Sequence, residues 1–440
     1  MSLRREMRPL AVLATMFAML SAGPYGLEEV IPRAGPGLAL FVLSLMAFVW
    51  AVPYALLVAE LVSVLPGEGG IYQWFRASLG PFWAFQLSIL DWITWVLEAA
   101  LYPPLVAAYL AGFLTHQPSR WLNWIISLLV IWGCTWLNIR GVKGVGRLSV
   151  AISVVVLVPL VGIVILGFNR VGIEALRPWT PVGQSPATAL HYALIWSLWS
   201  YSGYGALASA SEEMVRPERS YPRALAIFLP LSLATYVLPL LVALGVSPDW
   251  RQWENGQFNQ VAVLLGGSWL LALNLIAVQI SSVGMFNSEL LVVSRVPYAM
   301  ARDRLLPPFL ARLHPRYGTP ARVLVLAGIL FSLLTFFFDF LQLLVASTWL
   351  ALPAYLLTFA CPLILRWRNP EARGPFRIPG GWPALVVIAL VPSSIAVYVL
   401  LTIETRHLLL SLCFVAAIPV IYALSRWQSR RTEGPEDGLR

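Results

Sequence analysis

Charge is scarce in this chain. Asp, Glu, Lys and Arg make up 12% of its 440 residues, about half of the roughly 25% found in soluble domains. So little charge cannot cover a water-soluble globule of this length. Cysteine is scarce too. Cys134, Cys361 and Cys413 lie in or at the end of apolar runs, and an odd, scattered set gives neither a disulfide framework nor metal-ligand spacing. The histidines His116, His191, His314 and His407 show no ligand spacing either. With no nucleophile–base constellation and no zinc motif, catalysis has no support, and neither a metal nor a cofactor is expected. The run Gly141-Val142-Lys143-Gly144-Val145-Gly146 looks like a phosphate loop, but its spacing is wrong and no strand precedes it.

Apolar residues dominate instead. They make up 59% of the chain, and the mean hydropathy is +0.75. Runs near 20 residues recur, each long enough to cross a hydrocarbon core about 30 Å thick as a helix. Twelve spans are predicted, near 9–32, 37–65, 82–112, 121–138, 148–168, 188–210, 221–246, 258–285, 321–338, 340–365, 383–403 and 407–425. Arg4, Arg5 and Arg8 precede the first run, and no small-residue cleavage site follows it, so it reads as an uncleaved span. The net charge of +9 does not imply nucleic acid, because the basic residues sit in short loops and form no stripe. They fall mainly in alternate loops. Only Arg33, Arg120, Arg170, Arg177, Arg251 and Arg406 lie on the other side, which puts both termini in the cytoplasm. The expected fold is an all-α membrane protein, one transporter domain over 1–425 followed by a polar, disordered cytoplasmic tail over 426–440.

Two spans are interrupted. The first carries Ser21-Ala22-Gly23-Pro24-Tyr25-Gly26, the sixth Tyr201-Ser202-Gly203-Tyr204-Gly205. Glycine is a poor helix former and proline removes a donor, so a simple kink competes as the reading of either one. As a pair they say more. They lie five spans apart, and a second five-span unit enters the membrane upside down. That is the pattern of inverted repeats, here about 9–168 and 188–365, with helices over 383–425 added. Broken helices 1 and 6 would expose bare N–H groups, which suit a carboxylate, and bare C=O groups, which suit an ammonium or a sodium ion.

Acids join this scheme. Glu28 and Glu29 follow the first break, and Glu98 lies mid-span. A carboxylate at the bilayer centre costs about 2.5–3.5 kcal/mol on insertion scales and is a functional candidate by default. Asp91, Trp95, Glu98 and Tyr102 recur at helical spacing on one face. An acid between aromatics suits an organic cation; a packing stripe is the competing reading for Trp95 and Tyr102. Glu28 beside the first break weakens an anion site there. It suits a substrate with several amines and no carboxylate, or a proton-relaying group.

These residues also carry a resemblance. Ala22-Gly23-Pro24-Tyr25-Gly26-Leu27-Glu28-Glu29, Ala59-Glu60-Leu61, Leu65-Pro66-Gly67-Glu68-Gly69-Gly70 and Leu79-Gly80-Pro81-Phe82-Trp83-Ala84-Phe85-Gln86 resemble permeases of the amino acid–polyamine–organocation superfamily. So do Glu98-Ala99-Ala100-Leu101-Tyr102-Pro103, Ser282-Val283-Gly284-Met285-Phe286-Asn287-Ser288-Glu289, Ala301-Arg302-Asp303-Arg304-Leu305-Leu306-Pro307 and Tyr317-Gly318-Thr319-Pro320. The likeness is closest to the polyamine-uptake and L-type amino acid branch. It implies a LeuT-like carrier in the plasma membrane that works by alternating access on an amino acid or polyamine, a cationic amine being slightly preferred. It implies a substrate site built from Ser21, Ala22, Gly23, Pro24, Tyr25, Gly26, Glu28, Glu98, Tyr102, Trp199, Ser202, Gly203, Tyr204, Gly205 and Trp349. Proton or sodium coupling would fall to Glu28, Glu98, Ser281 and Ser282. The sequence departs from that branch at Ser202 and Gly205, where the branch has an Asn and an Asp, and in lacking a lysine in the fifth span. A neutral amino acid permease of the same fold is the alternative; a channel or sensor without turnover stands behind it. Oligomeric state is not legible.

Overall fold

Apolar side chains cover much of the molecule's outside, the reverse of a soluble protein. A computed structural model describes residues 13, 16–17, 23–65, 71–115, 119–140, 145–204, 217–302, 306–371 and 374–402. In chain order its main helices are α1 Val30–Ala34, α2 Pro36–Met46, α3 Val52–Val64, α4 Ile71–Leu79, α5 Pro81–Ala99, α6 Tyr102–Leu114, α7 Arg120–Arg140 and α8 Val145–Gly167. Then follow α9 Pro186–Ser200, α10 Pro217–Val246, α11 Gln257–Gly266, α12 Ser268–Arg302, α13 Ala321–Phe337, α14 Phe340–Arg368 and α15 Gly381–Leu401. A π-turn, Ala47–Ala51, joins α2 to α3. No strand occurs among the described residues.

Among these residues eight segments are long and apolar enough to cross a membrane, and α13 is a shorter apolar helix of 17 residues. On α7 the residues Trp121, Ile125, Leu129, Trp132 and Trp136 form one exposed face, with Leu129 at 70% exposure. A helix that turns its bulky apolar stripe outward is solvated by lipid tails. The interior prolines, including Pro159, Pro239, Pro353 and Pro392, are tolerated where neighbouring helices re-satisfy the freed carbonyls.

Several predicted spans need correcting. The span over 82–112 matches one membrane-length segment, Pro81–Leu114, but its helix is interrupted, since Ala100 and Leu101 form a turn between α5 and α6. The helix of the span ending at 285 continues to Arg302; within it Glu289 and Ser294 are buried, and Asn287 Oδ1 accepts from Asn138 Nδ2 at 2.8 Å. Between two predicted spans lies amphipathic α4, which buries Trp74, Phe75 and Ser78 and exposes Arg76. Ser21, Ala22, Gly205, the span over 407–425 and the tail lie outside the described residues.

Both predicted breaks interrupt the helix, although Tyr204, the last described residue of the second, is already helical again. Residues 23–29 form bends and turns before α1, and Tyr201–Gly203 follows α9. The first break touches α9, the helix that leads into the second. Trp196 Nε1 donates to the Gly26 carbonyl oxygen at 2.9 Å. Gly26 has φ +91°, and a Cβ there would lie 3.1 Å from Trp199 Cη2 and 3.2 Å from Phe340 Cζ. Gly26→Ala is therefore expected to lower stability by about 1–3 kcal/mol, the usual scale for forcing a side chain into this backbone region. Thermal unfolding of the detergent-purified protein checks this; an unchanged midpoint would show that the neighbouring rings yield without cost.

Candidate functional site

The break after α9 exposes a hydroxyl to the acid of α5. Ser202 Oγ lies 3.1 Å from Glu98 Oε1 and 2.8 Å from the Trp199 carbonyl oxygen. Gly203, at φ +83°, makes this turn possible without a Cβ penalty. Glu98 sits near the middle of the Pro81–Leu114 segment and is 9% exposed.

These residues line a narrow internal cavity with about 40 Å³ of room for the centres of water-sized molecules. Its wall comes from the first break (Gly23, Tyr25, Leu27), from α5 and α6 (Trp95, Glu98, Tyr102), from the end of α9 and the second break (Trp199, Ser200, Ser202, Gly203) and from α10 and α12. α12 brings Ser281, Ser282, Met285 and Glu289; α10 brings Tyr236. Among the described residues no Lys, Arg or His lines it. Glu289 is 4% exposed and close enough to Glu98 to interact electrostatically. Its carboxyl group interacts with the Tyr102 hydroxyl, while Oε2 has no hydrogen-bond partner among the described residues. Tyr236 hydroxyl donates to the Ser200 carbonyl oxygen at 3.1 Å, holding α10 against the end of α9.

Of the residues expected at the site, Gly23, Tyr25, Glu98, Tyr102, Trp199, Ser202 and Gly203 meet here, with Ser281 and Ser282. Pro24, Gly26, Glu28, Tyr204 and Trp349 do not line the cavity. Tyr204 packs on Tyr54 and Phe228. Glu28, fully buried, is turned back on its own loop. Its Oε2 accepts from Gly26 N at 2.7 Å, and Oε1 accepts from the Tyr109 hydroxyl and from Gly256 N at 3.4 Å. The anion-seeking N–H of the first break is thus filled by the chain's own carboxylate. Behind it Tyr25 hydroxyl donates to Asn274 Oδ1 at 3.2 Å, and Asn274 Nδ2 to Asn259 Oδ1 at 2.9 Å. Glu29 pairs with Arg33 at 2.9 Å and accepts from Asn255.

Glu289 was not singled out from the sequence, although it closes a quoted motif. The signal that could have found it is helical spacing: Ser281, Ser282, Met285 and Glu289 recur on one face once the helix is carried past 285.

Membrane-length helices around a buried, acid-lined cavity define a polytopic membrane transport protein. Residues 12–424 match the family described as Amino acid permease. The chain is 31% identical over 418 residues to Polyamine transporter PUT1 of Oryza sativa subsp. japonica, covering 91% of this chain and 74% of that protein. It is 32% identical over 397 residues to a probable polyamine transporter of Arabidopsis thaliana, covering 88% and 78%. Polyamine transporter RMV1 of the same plant is 29% identical over 402 residues, covering 88% and 79%. The chain belongs to the amino acid permease family, within the amino acid–polyamine–organocation superfamily.

Proposed function

We propose that this protein carries small polyamines across the plasma membrane by alternating access around the Glu98–Glu289 cavity. The observation that carries the reading is two buried carboxylates facing one space that no basic side chain lines among the described residues. Each carboxylate at mid-membrane costs about 2.5–3.5 kcal/mol on insertion scales. A diammonium ion offsets both charges at once. The faces of Trp95 and Trp199 suit the same ligand, with cation–π contacts worth about 0.5–2 kcal/mol each. The names of the plant relatives point the same way. A neutral amino acid fits less well, because its carboxylate would meet two acids and find the Gly26 N–H already taken by Glu28.

The proposed frame is a LeuT-like five-plus-five repeat of about 12 helices, with a transporter domain over 1–425 and both termini in the cytoplasm. Ser281 and Ser282, on the cavity wall, offer oxygens for a sodium ion, and Glu98 offers a carboxylate for a proton. Proteoliposome uptake tests the reading. Labelled 1,4-diaminobutane is expected to enter saturably, with trans-stimulation by internal diamine and no competition from leucine. Leucine uptake that ignores the diamine would overturn it, and non-saturating diamine flux would indicate a channel.

A further inference from the structure

The loop that joins α12 to α13 shapes a second hollow, away from the central cavity. Its short 3₁₀ turn, Pro308–Ala311, packs against both helices. Phe309, Ala321, Arg322, Val325 and Leu326 enclose a shallow groove with about 440 Å³ of room for the centres of water-sized molecules. Apart from Arg322, each of these side chains is apolar. The groove runs on into a stripe: Leu326, Ile329, Leu333 and Phe337 are exposed at helical spacing along α13. From Arg322 to Leu333 the helix rises roughly 17 Å, close to the depth of one leaflet in a hydrocarbon core about 30 Å thick.

Positive charge gathers at the mouth of this groove. Arg312, Arg316 and Arg322 are exposed, and among the described residues none of them is in an ion pair. Arg322 Nη1 makes one long bond, to the Phe309 carbonyl oxygen at 3.4 Å. Arg316 lies 5.5 Å from the centre of the Tyr317 ring. From Leu306 to Phe338 the sequence has no Asp or Glu, and the nearest upstream acid, Asp303, is flanked by Arg302 and Arg304. The loop itself is tied down. His314 N donates to the Thr319 carbonyl oxygen at 2.7 Å, and Thr319 Oγ1 donates to the Ile139 carbonyl oxygen of α7 at 2.6 Å.

We propose that this groove binds one anionic phospholipid, its phosphate held by Arg322 with Arg312 and Arg316 of the same loop, and one acyl chain laid along α13. Charge complementarity selects the occupant. Unpaired guanidinium groups fit phosphate oxygens with two parallel bonds, and the apolar wall fits hydrocarbon. A free phosphate leaves that wall bare. A zwitterionic lipid brings its own cation to the arginines. A peptide finds no side-chain partner for its backbone beyond Arg322. The site also has a route to the central cavity, because α12, against which the loop packs, carries Ser281, Ser282 and Glu289. A lipid seated here braces that helix, whichever solute the cavity takes.

Native mass spectrometry of the full-length, detergent-purified protein tests the site, with equimolar dioleoyl phosphatidylglycerol and dioleoyl phosphatidylcholine as probes. Wild-type protein is expected to retain one phosphatidylglycerol in about tenfold preference over phosphatidylcholine, the scale of one charge-assisted hydrogen bond. Inorganic phosphate is expected not to displace it. Arg322→Gln is expected to lower the preference by about tenfold. Val325→Trp, which fills the groove and leaves the charges alone, is expected to weaken phosphatidylglycerol retention by a similar factor. Arg251→Gln, in another loop, is expected to change neither. Retention of the two lipids equal within twofold, displacement by phosphate, or an Arg251→Gln loss as large as that of Arg322→Gln overturns the site. Arg322 and Val325 are both exposed, so the fold should survive their replacement. Should a variant fail to fold, the wild-type competition between the two lipids and phosphate decides alone.

Discussion

Glu98→Gln is expected to lower diamine uptake by about 10–100-fold. A charge-assisted hydrogen bond contributes about 1.5–3 kcal/mol, and each 1.4 kcal/mol is a factor of about ten. The fold should survive the change. The amide oxygen of Gln accepts from Ser202 Oγ as the carboxylate does, and no basic side chain among the described residues lines the cavity to lose a partner. The affected quantity is therefore affinity for the cation. Uptake across a range of diamine concentrations, with thermal unfolding of the same preparation as the control, separates this from misfolding. Full transport by a stably folded Glu98→Gln protein would remove the cationic pocket. Glu98→Ala is a poorer probe, because it also leaves Ser202 without that acceptor.

The largest effect on stability is expected far from the cavity. Arg366 of α14 and Glu60 of α3 form a two-pronged ion pair, Nε to Oε1 and Nη2 to Oε2, both at 2.6 Å. The side chains are 5% and 4% exposed. Glu60 Oε2 also accepts from Ile378 N at 2.8 Å, and Arg366 Nη1 donates to the Gly381 carbonyl oxygen at 3.3 Å. The pair thus joins α3, α14 and the segment that starts α15. Arg366→Ala leaves a buried carboxylate without its counter-ion, a change that costs about 3–5 kcal/mol. The variant is expected to unfold at a clearly lower temperature. The paired replacement Glu60→Gln with Arg366→Met removes both charges and is expected to recover part of the loss, because desolvation of the pair offsets much of its attraction. An Arg366→Ala protein as stable as wild type would mean that Glu60 finds water or another cation there.

Much of the cavity was legible in the sequence for a local reason. Gly23, Pro24, Gly26 and Gly203 are poor helix formers clustered at two points five spans apart, so both breaks could be placed by residue number. Glu98 stood out because an acid in an apolar run is costly wherever the helix packs. Glu289 was missed because Asn287, Ser288 and Glu289 read as the polar end of a span; only the packing of α12 against α5, α6 and α8 keeps them inside. The fate of Glu28 was half legible. Its place beside the first break followed from the sequence. Its bonds to Tyr109 and Gly256 depend on how distant segments dock, and no local pattern encodes that. α4 was overlooked because the search was for long apolar runs, and an amphipathic helix of nine residues is not one.

The bond from Trp196 to the Gly26 carbonyl links the two interruptions mechanically. Trp196 is 1% exposed, and its indole N–H has no water to turn to. If the peptide after Gly26 swings away, α9 must follow it or strand a donor at a cost of about 1–3 kcal/mol. The bond therefore pins the first turn to α9, the helix that leads into the second, so that a displacement of one is resisted at the other.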